Sequence, residues 1–171
     1  MVYSMLNNRL ALLNKSKFLA MEEKYQQALR AVEQLLLNTP DDLDGLRLKG
    51  NILELYVYAG NLDDSEDMGQ LAIARKCYEH ILELNPNNTL ALIDLGDYWQ
   101  NQADFEKSLG YYDNAINLLK EHCFYLSLEN EFVEAFQGKQ DVLQKMNNEL
   151  ELHLCQKEEQ TILSRLQKIG I

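Results

Sequence analysis

The chain has 171 residues, 46% of them hydrophobic and 25% charged, which suffices for a hydrophobic core and is ordinary for a globular protein. Its net charge of −11 argues against nucleic acid as a ligand, because binding phosphate requires a basic face. Two prolines and eight glycines, with abundant Leu, Glu, Gln and Asn, favour helix over sheet and argue against a turn-rich all-β fold.

In chain order, Met5, Leu6, Leu10, Leu12, Leu13 and Leu19 form a loose helical stripe over residues 3–20. A turn near Met21–Glu23 leads to a second predicted helix, where Tyr25, Ala28, Leu29, Val32, Leu35 and Leu36 mark one clean face. Pro40 stops it, and Asp41 and Asp42 stand where they can cap the next helix. The third helix is predicted over 43–58. Residues 59–70, with two glycines and four acids, are expected to be a surface loop. The fourth helix, about 70–84, carries Leu71, Ala74, Tyr78, Ile81 and Leu82 and ends at Pro86. A fifth follows over 89–101 and a sixth from Phe105 to about Leu119. Beyond residue 122 two readings remain. One is a helix from about 131 to 169, which would reach ~55 Å. The other, favoured here, is a hairpin turning at Asn147–Asn148, with Leu150, Leu154, Ile162, Leu166 and Ile169 inward.

A spacing links these helices. Ala28, Val32 and Pro40 recur 46 residues later as Ala74, Tyr78 and Pro86, and Gly50 recurs as Gly96. Ala74 and Tyr78 recur 34 residues later as Ser108 and Tyr112, with Lys120 where a third proline would fall. The chain therefore reads as a 34-residue repeat with one 12-residue insertion, the mark of a stacked-hairpin solenoid. Small residues (Ser16, Gly50 and Gly96 on first helices, Ala28, Ala74 and Ser108 on second) let paired helices approach closely.

These residues resemble the tetratricopeptide repeats. Leu92, Leu95, Gly96, Trp99, Ser108 and Tyr112 fit the family pattern best, then Leu46, Gly50, Leu53, Ala74, Tyr78 and Pro86, then Leu12, Leu19, Ala28, Val32 and Pro40. The resemblance covers about residues 9–122 and implies an all-α, right-handed α-solenoid of three hairpins. Residues 123–171 would be a degenerate fourth repeat or capping helices. It also implies a groove lined by first helices that receives a segment of another protein. The groove positions would be Leu13, Lys17, Ala20 and Met21, then Arg47, Asn51, Glu54 and Leu55, then Ile93, Asp97, Gln100 and Asn101. A fourth hairpin would add Gln137, Asp141 and Gln144. Some members clamp a terminal carboxylate with Lys, Asn and Arg; Ile93 and Asp97 fill the slots where cations are needed, which argues against that specificity. Acidic secretion chaperones of the family are similar in size, but usually carry a longer leader before the first repeat.

The remaining candidates have bland readings. Cys77 and His80 are three apart on a helix with no further ligand near them in sequence. His122–Cys123, and His153 with Cys155, lack an orienting third group. Asp63, Asp64, Glu66 and Asp67 lack the alternation of a calcium loop. The expectation is a non-enzymatic interaction protein without metal or cofactor, with a possible homo-oligomer through the C-terminal helices. Three unpaired cysteines, no apolar run of membrane length and no secretory-type leader point to the cytoplasm and to no membrane insertion.

Overall fold

A computed structural model describes residues 2–60, 64–121 and 129–169. These form eight α-helices and no strand: α1 (Val2–Met21), α2 (Tyr25–Asn38), α3 (Leu43–Tyr58), α4 (Asp64–Leu84), α5 (Thr89–Asn101), α6 (Phe105–Glu121), α7 (Glu129–Lys145) and α8 (Glu149–Ile169). They pair in sequence as four hairpins, two in each of two compact units that meet in sequence at Pro86 and Asn87. The sequence reading set residues 123–171 apart as a degenerate fourth repeat or capping helices, and α7 packs on both α5 and α6.

In the first unit, Ala28, Val32 and Ile52 centre the core, joined by Leu19, Leu29, Leu36 and Leu48. Each fully buried Val or Ile contributes about 1.5–3 kcal/mol. In the second unit Leu95, Tyr112, Leu119, Phe132, Phe136 and Leu143 are the largest fully buried side chains.

Three of the inter-helix turns are the same structure. Glu23, Ala103 and Asn147 each hold a left-handed backbone, with φ of 59°, 58° and 54°. In each, the next residue's N–H reaches back to a carbonyl five residues earlier, as Lys24 does to Leu19, Asp104 to Trp99 and Asn148 to Leu143. This closes the last turn of the helix and reverses the chain. In the second hairpin Gly60 takes that conformation, at φ 69°.

Side-chain caps start the helices that follow. The Asp42 carboxylate accepts from Gly45 N–H at 2.9 Å and Asn88 from Ala91 N–H at 2.9 Å. Asp42 also takes both Arg9 Nε (2.5 Å) and a second Arg9 nitrogen (3.0 Å), tying α1 to the start of α3.

Several expectations differ from the structure. The 12-residue insertion is mostly helix: measured from the small crossing residues, α3 runs three residues further than α1 and α5 do, and α4 begins seven residues earlier than α2 and α6. Within the predicted loop over 59–70, residues 64–70 are helix and belong to α4, with no proline among them, while 61–63 lie outside the described residues. Where Lys120 replaces proline, α6 runs three residues further past its small crossing residue than α2 and α4 do past theirs. On α1, Leu6 and Leu10 are exposed while Leu12, Leu13 and Ser16 are buried. On α8, Leu150 and Leu154 are exposed while Cys155 and Leu166 are buried. Both helices carry apolar residues on more than one side, and the neighbouring helix selects which side turns in.

Candidate functional site

The small-residue crossings are as tight as the repeat pattern requires. A Cβ built on Gly50 would lie 2.4 Å from the Tyr78 ring, and one on Gly96 would lie 2.7 Å from the Tyr112 ring. Each tyrosine crosses from a second helix beneath the glycine of its first helix and reaches the polar residues beyond it. The Tyr78 hydroxyl lies 2.8 Å from both Asn51 Oδ1 and Glu54 Oε2, which share its single proton. Tyr112 repeats the arrangement, donating to Asp97 Oδ1 at 2.5 Å with Gln100 Oε1 at 3.1 Å. Burial pushes the Tyr112 phenol above its ordinary value and the Asp97 charge pushes it further, so it stays a protonated donor.

These acceptors are groove positions of the sequence reading. In the first unit Lys17, Met21 and Leu55 are exposed, and Ala20, Arg47, Asn51 and Glu54 half-buried. In the second unit Asp97, Asn101, Gln137 and Gln144 are exposed and Gln100 and Asp141 half-buried, with Gln137 donating to Asp141 at 2.9 Å. Two positions are corrected. Leu13 is 4% exposed because it packs with Leu12, Leu35 and Leu48. Ile93 is 3% exposed because α5 is buried on nearly every side from Ala91 to Gly96.

The sequence reading missed Leu6 and Leu10. They stand eleven and seven residues before Lys17 on its side of α1 and are exposed, so they, not Leu13, continue that face. Their spacing from Lys17 and Met21 was legible; their assignment to the inward stripe hid it. The two units thus present different first-helix surfaces. The first is apolar and cationic (Leu6, Leu10, Lys17, Arg47) and the second acidic and amide-rich (Asp97, Gln100, Asp141).

The other candidate groups lie in differing environments. Cys77 is buried, and burial raises its thiol pKa above the ordinary range. His80 faces solvent, its Nδ1 3.0 Å from Glu83 and its Nε2 3.0 Å from Asp41. His153 is exposed while Cys155 is buried, its thiol pushed up to about 11 by burial. His122, Cys123 and Asp63 lie outside the described residues. Among the described residues no helix is long and apolar enough to cross a membrane.

No protein-family model matches the chain. A curated relative, the protein O-mannosyl-transferase TMTC3 of Homo sapiens, is 36% identical over 100 residues, 58% of this chain. The chain spans about a tenth of that relative's length. Among solved structures, a Thermobaculum terrenum O-GlcNAc transferase mutant superposes with a TM-score of 0.55 at 16% identity, over 82% of this chain and 26% of that one. The chain is built of tetratricopeptide-type repeats. The MamA protein aligns over 96% of both chains at 14% identity, but its TM-score of 0.48 is too low to bear on the assignment. The tetratricopeptide register accounts for the recurring tyrosine, glycine and paired acceptors, and the fold is all-helical, of α-solenoid type. The transferase activities in those names belong to proteins of which this chain matches a minor part.

Proposed function

We propose that the chain is a non-enzymatic adaptor that binds a segment of another protein on its first-helix surfaces. The observation that carries this reading is the repeated anchoring of surface acceptors by a buried tyrosine: Asn51 and Glu54 by Tyr78, Asp97 and Gln100 by Tyr112. Side chains held this way lose little further freedom when a ligand docks, so more of the contact energy appears as affinity. The first unit's exposed Leu6 and Leu10, on the Lys17 side of α1, suit an apolar, acidic segment. The net charge of −11 disfavours nucleic acid as the ligand, and the unpaired Cys77 and Cys155 are consistent with work in the cytoplasm.

Affinity capture from native extract with the full chain tests the reading. The combined Arg47→Glu and Asn51→Ala variant is expected to lose the captured partner while keeping its helical content. A partner retained at full yield removes the first-helix surface from the account.

A second reading is a chaperone for an apolar protein, and the lengthened second hairpin favours it. Leu55, Tyr58 and Met68 near its tip are each at least half exposed. Leu55→Ser with Met68→Ser would then abolish protection of an aggregating apolar client, an effect the adaptor reading does not produce.

A further inference from the structure

The second unit carries a groove of about 900 Å³ on α8, outside the first-helix surfaces and independent of the reading just given. Lys120 of α6 and Lys139 of α7 form one wall. The α8 residues facing it include Glu151, Leu154, Glu158, Thr161, Ile162 and Arg165. Leu154 is 56% exposed, so the groove has an open apolar edge.

The order of these residues is symmetric about Glu158. At about 100° per residue, Leu154 and Ile162 lie about 40° to either side of Glu158, and Glu151 and Arg165 about 20° to either side. Along the axis the first pair stands about 6 Å from Glu158 and the second about 10 Å. An antiparallel copy of α8 crossing at Glu158 therefore sets Leu154 on Ile162 and Glu151 opposite Arg165, twice over. Self-complementarity of this kind is what a two-fold contact demands, while an unrelated partner requires no such symmetry. The two Glu158 carboxylates that meet at the axis are each already paired, with Lys120 Nζ at 2.5 Å.

We infer that this face of α8 is a docking site for a second copy of the chain, forming an antiparallel two-fold dimer through Leu154–Ile162 and Glu151–Arg165 contacts. One helix crossing is small beside the about 1,200 Å² of a standard stable interface, and −11 charges per copy oppose it, so the dimer is weak and concentration-dependent.

Sedimentation equilibrium of the full chain, from about 10 μM to about 1 mM, reads the association over the weak range of specific affinities. The expected result is a monomer–dimer equilibrium whose dissociation constant rises at least about tenfold in Leu154→Glu, with an unchanged circular dichroism spectrum. Glu151→Arg alone and Arg165→Glu alone each juxtapose like charges and weaken the dimer, and the double exchange restores it. Restoration distinguishes a contact between copies from damage to the monomer. A chain that is monomeric at every concentration overturns the inference. So does a dimer indifferent to Leu154→Glu, or a double exchange without rescue. A monomer that loses a co-purified protein on Leu154→Glu assigns the face to that protein and also overturns it.

Discussion

The Ser108 hydroxyl donates to the Gly96 carbonyl at 2.8 Å, across the closest approach of α5 and α6. In the first hairpin the same bond runs the other way: Ser16 on α1 donates to the Ala28 carbonyl on α2, also at 2.8 Å. Both hydroxyls are fully buried and both bonds span twelve residues. The first and third hairpins thus each use one serine to tie their two helices, and either helix can supply it.

Ser108→Ala and Ser16→Ala should each cost about 0.5–1.5 kcal/mol, the net worth of one neutral hydrogen bond. The accepting carbonyls lie within helices, so neither is stranded by the change. Chemical denaturation gives the value, and a loss within error of zero for both would show that the bonds add nothing to packing alone.

Gly138 and Gly96 lie in different hairpins and touch the same ring. A Cβ on Gly138 would come within 2.3 Å of Tyr112 and one on Gly96 within 2.7 Å. The fully buried ring has nowhere to move. Alanine in a helix is worth about 1 kcal/mol over glycine, so the clash must exceed that gain to show. Gly138→Ala is expected to destabilise by about 1–3 kcal/mol net, and Gly96→Leu by at least ~2 kcal/mol. Thermal melts should fall by several degrees, since about 1 kcal/mol corresponds to about 2–4 °C at this length.

The opposite sign is expected at Gly110 and Ala103. Nothing lies within 4 Å of a Cβ on Gly110, which is exposed on α6, so Gly110→Ala should stabilise by about 0.5–1 kcal/mol. Ala103 holds φ 58° in the α5–α6 turn, so Ala103→Gly relieves an unfavourable backbone and should gain a similar amount, about 0.5–1 kcal/mol. A melting temperature lowered by both would contradict the turn and helix geometry.

Asp42 links acid stability to Arg9. Burial works to raise its pKa, but the hydrogen bonds from Arg9 and from the Gly45 N–H outweigh that and hold it below the usual carboxylate range. Its stabilising effect is therefore complete above the unfolded value of about 3.9 and fades as pH falls through the lower folded value. Asp42→Ala loses a helix cap and leaves Arg9 with only Asp44, and should cost about 1.5–3 kcal/mol at neutral pH. The stability difference between variant and wild type should shrink in acid; a constant difference down to strong acid would refute the linkage.

His80 behaves in the reverse sense. Bonding to Glu83 and to Asp41 raises its pKa, because both ring nitrogens must carry protons to serve two carboxylates. Its contribution is complete below the unfolded value of about 6.5 and is lost as pH rises through the folded value. The group is at the surface, so the effect on stability is small. An NMR titration should place the His80 midpoint above the ordinary histidine value of about 6.5, and Asp41→Asn should lower it.

Much of this molecule follows from local sequence. Pro40 and Pro86 end helices whatever surrounds them, and small residues twelve or twenty-four apart mark where paired helices cross. The narrow stripe of α2 (Ala28, Val32, Leu35) permits one inward face and no other, so its orientation needed no partner to be known. The first-helix positions of Asn51, Glu54, Asp97 and Gln100 followed from the same register. Their anchoring did not, since the tyrosine that holds each pair arrives from 12 to 27 residues away.

The sequence by itself determined the repeat and its hairpins, because helix period, proline stops and small crossing residues act over a few neighbours. Only the tertiary structure decided how far the insertion extends α3 and α4, and which sides of α1 and α8 are buried. With leucines at 6, 10, 12 and 13, and at 150, 152 and 154, those helices offer more than one apolar face. Their rotation is fixed only when a neighbouring helix covers one face and leaves the other to water.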